Sequence, residues 1–171
     1  GQKPGIMPPG RAKLIPAGSR LVFQMHYTPN GTEQEDTTKV GLVFADEEEK
    51  ITHSVYTLAA LNQDFEIPPN ASDHQVQATL RRIPEGGELM AVTPHMHFRG
   101  KAFGLNATYD RVASKNQTLL KVPNYDFNWQ HSYYFADPIP LDEVSRISFN
   151  ASFDNSSDNP FNPDPNETVY W

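Results

Sequence analysis

The chain contains no cysteine, and that absence excludes disulfides, cysteine-ligated zinc, iron–sulfur clusters and a thiol nucleophile. Positive charge is scarce as well. Fourteen Lys and Arg against 21 Asp and Glu give the 171 residues a formal net charge of −7 and an isoelectric point near 5.3, which argues against a nucleic-acid surface or a polybasic membrane patch. No apolar run approaches the ~20 residues of a membrane-spanning helix. No signal peptide is recognisable, so the chain reads as one already processed or excised. Also missing are a sustained helical apolar period, a long internal repeat, and the GxSxG, phosphate-loop and dinucleotide signatures.

What is present is punctuation and alternation. Fifteen Pro and ten Gly separate short segments of period-two hydrophobicity, the pattern of half-buried strands. After an irregular lead-in over 1–19, strands are expected at 20–27, 40–45, 52–58, 74–82, 88–97, 102–110, 118–122, 132–136 and 145–153. Many short strands with turn residues between them predict an all-β, antiparallel β-sandwich rather than alternating β and α units. The 37% hydrophobic content is enough to bury a core. The charge run Asp46–Lys50 reads as a solvated hairpin turn, and the polar, Pro-rich stretch 154–165 as a long loop.

The chemistry-bearing feature is His95-Met96-His97. Two histidines two residues apart on an extended segment project from one face, so both imidazoles can reach one metal ion, and neutral imidazole suits Cu, Zn, Fe or Ni. The bland alternative is two histidines hydrogen-bonded at a strand end. Pro94 lacks an N–H, which puts this strand at an edge or on a bulge. A third ligand has to come from elsewhere, and His26, His53, His74 and His131 are the candidates. In the alternation over 20–27, His26 points away from the face of Leu21, Phe23, Met25 and Tyr27.

Three further features were weighed. Seven Asn-x-Ser/Thr sequons, at Asn30, Asn70, Asn106, Asn116, Asn150, Asn155 and Asn166, are glycan acceptors on surface loops if the protein is a secreted glycoprotein, or turn chemistry in an Asn-rich β protein if it is not. Asp154, Ser156 and Asp158 alternate like calcium ligands, but Asn159 and Pro165 stand where an EF-hand needs Gly and Glu, so a solvated Asx-rich turn is expected. Trp129, Tyr133 and Tyr134 form an aromatic group that either lines a sugar site or packs in the core.

Taken together, Gln24-Met25-His26-Tyr27-Thr28-Pro29, Pro94-His95-Met96-His97-Phe98-Arg99-Gly100-Lys101 and Phe153-Asp154-Asn155-Ser156 resemble the copper type II, ascorbate-dependent monooxygenases, the family of peptidylglycine α-hydroxylating monooxygenase and dopamine β-monooxygenase. The resemblance covers the chain from about Pro8 to Trp171, with the three motifs in the family's order. It implies two jelly-roll-like β domains, each holding one copper across an open cleft. By resemblance, His26 is a ligand of the electron-transfer copper, CuH, and His95 and His97 are ligands of the hydroxylating copper, CuM. Residues 1–50 would then be the last strands of the CuH domain and 51–171 the CuM domain.

Two upstream CuH histidines are expected before residue 1, and the CuM methionine is expected beyond the end of the chain. Met96 does not substitute, since alternation turns it to the opposite face. Thr93 stands where the peptide-hydroxylating branch has a carboxylate-clamping Arg, which leaves the substrate, small molecule or peptide-like, open. The implied activity is hydroxylation of a C–H bond with O₂ and ascorbate by a complete parent enzyme, outside the cytoplasm and with no nucleic acid or membrane span. The missing N-terminal copper domain, or another chain, is an expected partner, and this chain alone is expected to be inactive. The rival reading is a non-catalytic, secreted or glycosylated β-sandwich, structural or adhesive, that keeps the fold.

Overall fold

The computed structural model describes residues 5–25, 27, 29–80, 82–109 and 115–170, and among these every regular element is a β-strand. The chain divides into two units, residues 4–58 and residues 59–171.

In the first unit the only ladder among the described residues joins β1 (Arg11–Ala12) to β2 (His53–Ser54) in parallel. The strands expected over 20–27 and 40–45 form none there, and Val22 and Val43 are 91% and 87% exposed. Alternation assigns faces to an extended segment, but a strand also needs a neighbour for its N–H and C=O groups. Local polar contacts hold the unit instead. The Asp46–Glu49 turn closes with Glu49 N–H on Asp46 O at 3.0 Å, and Asp36 Oδ2 accepts from the hydroxyls of Thr38 at 2.5 Å and Tyr27 at 3.0 Å. Those hydroxyls, Thr38 foremost, hold the Asp36 carboxyl below its ordinary range, and the Asp36 bond pushes the Tyr27 phenol up.

The second unit contains β3 (Glu66–Ile67), β4 (His74–Leu80), β5 (Glu88–Val92), β6 (Gly100–Tyr109), β7 (Lys115–Val122), β8 (Tyr133–Pro140), β9 (Val144–Phe153) and β10 (Val169–Tyr170). A four-stranded antiparallel sheet runs β4-β9-β6-β7, while β5 pairs with β8 and β3 with β10. Period-two alternation sorts the large sheet's faces. Val76, Ala78 and Leu80 align with Ala151, Phe149 and Ile147, which align with Phe103, Leu105 and Ala107. This apolar face gathers Met96, Leu141 and Ile67, with Leu89 and Val92 of β5 packed against them, into one core. The arrangement is all-β and sandwich-like.

The opposite face is a polar lattice. Thr108 donates to Asn116 at 2.8 Å, Thr118 to Asn106 at 2.9 Å, and Asn150 Nδ2 to Gln75 Oε1 at 2.7 Å. Three of the seven sequon asparagines are therefore cross-strand partners rather than loop residues.

The long loop after β9 departs from its expected solvated character at two residues, Asn155 and Ser156. Asn155 is 0% exposed. Its Oδ1 accepts from Arg99 Nε at 2.6 Å and Asn162 Nδ2 at 3.1 Å, and its Nδ2 donates to the carbonyls of Pro68 at 2.9 Å and Glu167 at 2.8 Å. Asp154 N–H meets Arg99 O at 2.7 Å. One amide thus ties the loop to the turn that follows His97, and it leaves no room for a glycan at Asn155. Asn30, Asn70 and Asn166, by contrast, lie on exposed turns.

Removing that amide takes a partner from Arg99 Nε, from Asn162 Nδ2 and from two carbonyls, while Arg99 keeps Asp164 O and Asn162 keeps Ser156 O. Asn155→Ala is expected to lower stability by about 2–4 kcal/mol, and Asn166→Ala, on an exposed turn, by less than about 0.5 kcal/mol. Urea unfolding monitored by circular dichroism checks both, as a shift in midpoint.

Candidate metal centre

Two strands that end early build the site. β5 and β8 pair Ala91 with Tyr134 and Val92 with Tyr133, after a bulge between Leu89 and Ala91. The expected strand over 88–97 ends at Val92, since Pro94 has no N–H to continue the ladder. The register nevertheless persists in side chains. Thr93 Oγ1 meets Ser132 Oγ at 2.8 Å, and His95 Nδ1 meets Gln130 Oε1 at 2.5 Å. These are the partners that the Val92–Tyr133 register dictates one and three residues on.

Alternation then separates two faces. Pro94 and Met96 are buried, Met96 to 4%, whereas His95 and His97 are exposed. The two imidazoles share one side, edge to face, with centroids 5.2 Å apart. Period two in the sequence has become two rings side by side on solvent.

The residue between them is held by one oxygen. Tyr125 Oη accepts from Met96 N–H at 2.9 Å and donates to Met96 O at 2.9 Å, so both polar groups of the middle residue are satisfied by a single phenol. Burial pushes the Tyr125 phenol above its ordinary value of 10.0, which keeps the donated proton in place. Beyond His97 the chain turns, with Gly100 N–H on His97 O at 2.8 Å. A Cβ on Gly100 would lie 2.8 Å from Tyr125 Cδ1 and 2.9 Å from Met96 Cβ. Gly100 is the residue type the clamp requires.

Gln130 decides the chemistry of His95. Its Nε2 donates to Phe127 O at 2.8 Å, and a carbonyl can only accept, so Gln130 Oε1 faces the ring and His95 Nδ1 carries the proton. Nε2 of His95 is then the lone-pair nitrogen and points outward. An imidazole whose Nδ1–H is held by a carbonyl-type oxygen while Nε2 faces out is the usual state of a metal-binding histidine. The Phe98 and Phe127 rings, 4.4 Å apart, join the turn after His97 to the turn before Gln130.

Rings this close could both reach one metal ion through nitrogens at about 2.0–2.1 Å. Among the described residues no group of three His, Cys, Asp or Glu gathers to hold one. His131 sits at the register position opposite Pro94, on the other face, edge-on to Trp129 at 4.3 Å. His74 lies on β4 opposite Phe153, and His53 belongs to the first unit. His26 lies outside the described residues.

Sequence reasoning missed Gln130 and Tyr125. The signal was the β5–β8 register, which is invisible until the bulge is placed. Comparison of the chain with family models, curated proteins and solved structures finds no match.

Two outcomes follow from the geometry. In Gln130→Ala the His95 ring loses its fixed tautomer, which long-range ¹H–¹⁵N spectra read as a change from Nδ1–H to a mixture, while His97 keeps its signals. Tyr125 also gives an alkaline limit. A phenol whose folded pKa is raised contributes stability that is present below the unfolded value of about 10 and lost as pH rises through the folded value. Tyr125→Phe is expected to be less stable at neutral pH but to lose less of its stability between pH ~9 and ~11, as thermal melts across that range would record.

Proposed function

We propose that residues 51–171 are the copper-binding β-sandwich of a type II, ascorbate-dependent monooxygenase of jelly-roll architecture, with His95 and His97 as two ligands of its hydroxylating copper. The observation that supports this most is His95, its Nδ1–H anchored on Gln130 and its Nε2 turned outward beside His97. Bound there, copper would supply one-electron redox chemistry with O₂, and ascorbate would be the reductant. The chain's own residues supply placement. Tyr125 fixes the backbone between the ligands, Gln130 fixes a tautomer, and the Arg99–Asn155 contact fixes the turn that carries His97. Imidazole alone is a weak site for Cu(I), and a soft thioether from outside these residues would complete it. In this reading His26 belongs to a separate electron-transfer copper, residues 1–50 are the end of its domain, and the protein works outside the cytoplasm, with glycans on exposed turns such as Asn30.

A second reading is a non-catalytic secreted β-sandwich that keeps the fold and the histidine pair. The absence of a third ligand among the described residues favours it.

A copper titration tests whether the histidine pair holds the metal. The 171-residue chain is expected to bind Cu(II), with His95→Ala and His97→Ala each weakening affinity at least tenfold and Gln130→Ala weakening it by about 10–100-fold. Equal affinity in the chain and both histidine variants contradicts the assignment. The isolated chain is expected to show no ascorbate-dependent hydroxylation of a C–H substrate, and turnover would mean that residues counted here as absent are supplied.

A further inference from the structure

The β5–β8 pair has a second face, and a cleft opens on it. Pro94, Trp129 and Tyr133, all of the register opposite to that of His95, line a cavity of about 350 Å³ together with Tyr125, Lys121 and Asp126. Its volume is near the small end of ligand sites, which run from about 300 to 1,000 Å³. That is room for a ring or two and not for an extended peptide.

Trp129 is the telling residue. It leaves 65% of its surface in solvent, and its backbone is held in a turn. Its N–H meets Asp126 O at 2.9 Å, closing a turn that Asp126 Oδ1 also caps through Asn128 N–H at 2.8 Å, and the His131 ring stands edge-on to the indole at 4.3 Å. Tyr125, beside it, is held by Lys101 O at 2.9 Å as well as by Met96. A large aromatic surface carried on a closed turn and left open loses little entropy when it is covered.

Around that indole stand Asn124, Asp126 and Lys121, a ring of short planar acceptors and donors with one cation. This combination of a flat apolar platform and planar polar groups at its edge matches a pyranose sugar. The C–H face of the sugar stacks on the indole, and its equatorial hydroxyls donate to a carboxylate or amide oxygen and accept from an amide or ammonium. We propose that this cleft is a saccharide-binding site, on the face of the β5–β8 pair opposite the histidine pair. The site is built without His95 and His97, so it does not depend on any metal bound there.

The test is calorimetric titration of the full 171-residue chain with methyl β-D-glucopyranoside and with cellotetraose, with saturation-transfer NMR mapping which ring protons contact the protein. Saturable binding with a dissociation constant on the order of 1 mM is expected for so small a site. Trp129→Ala should weaken it at least tenfold. Asp126→Asn, which preserves the turn cap, should weaken it several-fold, and His95→Ala should leave it unchanged. A tetrasaccharide much tighter than the monosaccharide identifies the ligand as part of a polymer, and equal affinities identify a free sugar. Absence of saturable binding to both probes, an unchanged constant in Trp129→Ala, or saturable binding of a proline-rich peptide in place of both sugars overturns the proposal.

Discussion

Everything distinctive about this protein's surface depends on one phenol oxygen. Tyr125 Oη satisfies both the N–H and the C=O of Met96, at a point where Pro94 has ended the ladder and no strand remains to do so. With its polar groups met, Met96 can bury its side chain in the core, and extended geometry then obliges His95 and His97 to face the other way. Gly100 exists in this arrangement as the absence of a Cβ, because the Tyr125 ring and Met96 occupy its space. The clamp and the two outward imidazoles are one device.

That device divides the β5–β8 pair into two sides of different chemistry. One carries Thr93, His95 and His97 against Ser132 and Gln130, a row of polar pairs ending in two nitrogen bases. The other carries Pro94 and Met96 against Trp129, His131 and Tyr133, an aromatic wall. The same two-residue period generates both, and the Asp126–Trp129 turn supplies a residue to each: Gln130 follows it on one side and Trp129 closes it on the other. The loop beyond β9 fastens from outside, through Asn155 and Arg99, on the turn that begins at His97.

Much of this was readable from residue order alone, and the parts that were not share a cause. The common face of His95 and His97 and the opposite turn of Met96 follow from period two, a local fact, whereas the strand expected to run on through Pro94 to His97 ends at Val92. Gln130 and Tyr125 are long-range partners whose pairing depends on a bulge between Leu89 and Ala91, and no local pattern marks it. The segments 20–27 and 40–45 alternate as cleanly as any in the chain but form no ladder among the described residues, since alternation says nothing about whether a neighbouring strand is there. The sequons divide for the same reason. Asn30 and Asn166 do sit on exposed turns, while Asn106, Asn116 and Asn150 hold a sheet face together and Asn155 is the hub of a buried knot. One side chain serves all of these uses, and only its surroundings choose.

The proposed copper site has His95 and His97 coordinating together through outward nitrogens, with His95 Nδ1 remaining on Gln130. Its most direct test is a ¹⁵N spectrum of the histidine side chains on addition of a diamagnetic monovalent metal, Cu(I) under anaerobic conditions or Ag(I). The account predicts coordination shifts at Nε2 of His95 and at one ring nitrogen of His97, with the His95 Nδ1 proton retained and its coupling to the Gln130 side intact. Shifts at His95 Nδ1, or at His53, His74 or His131 in place of the pair, would contradict it.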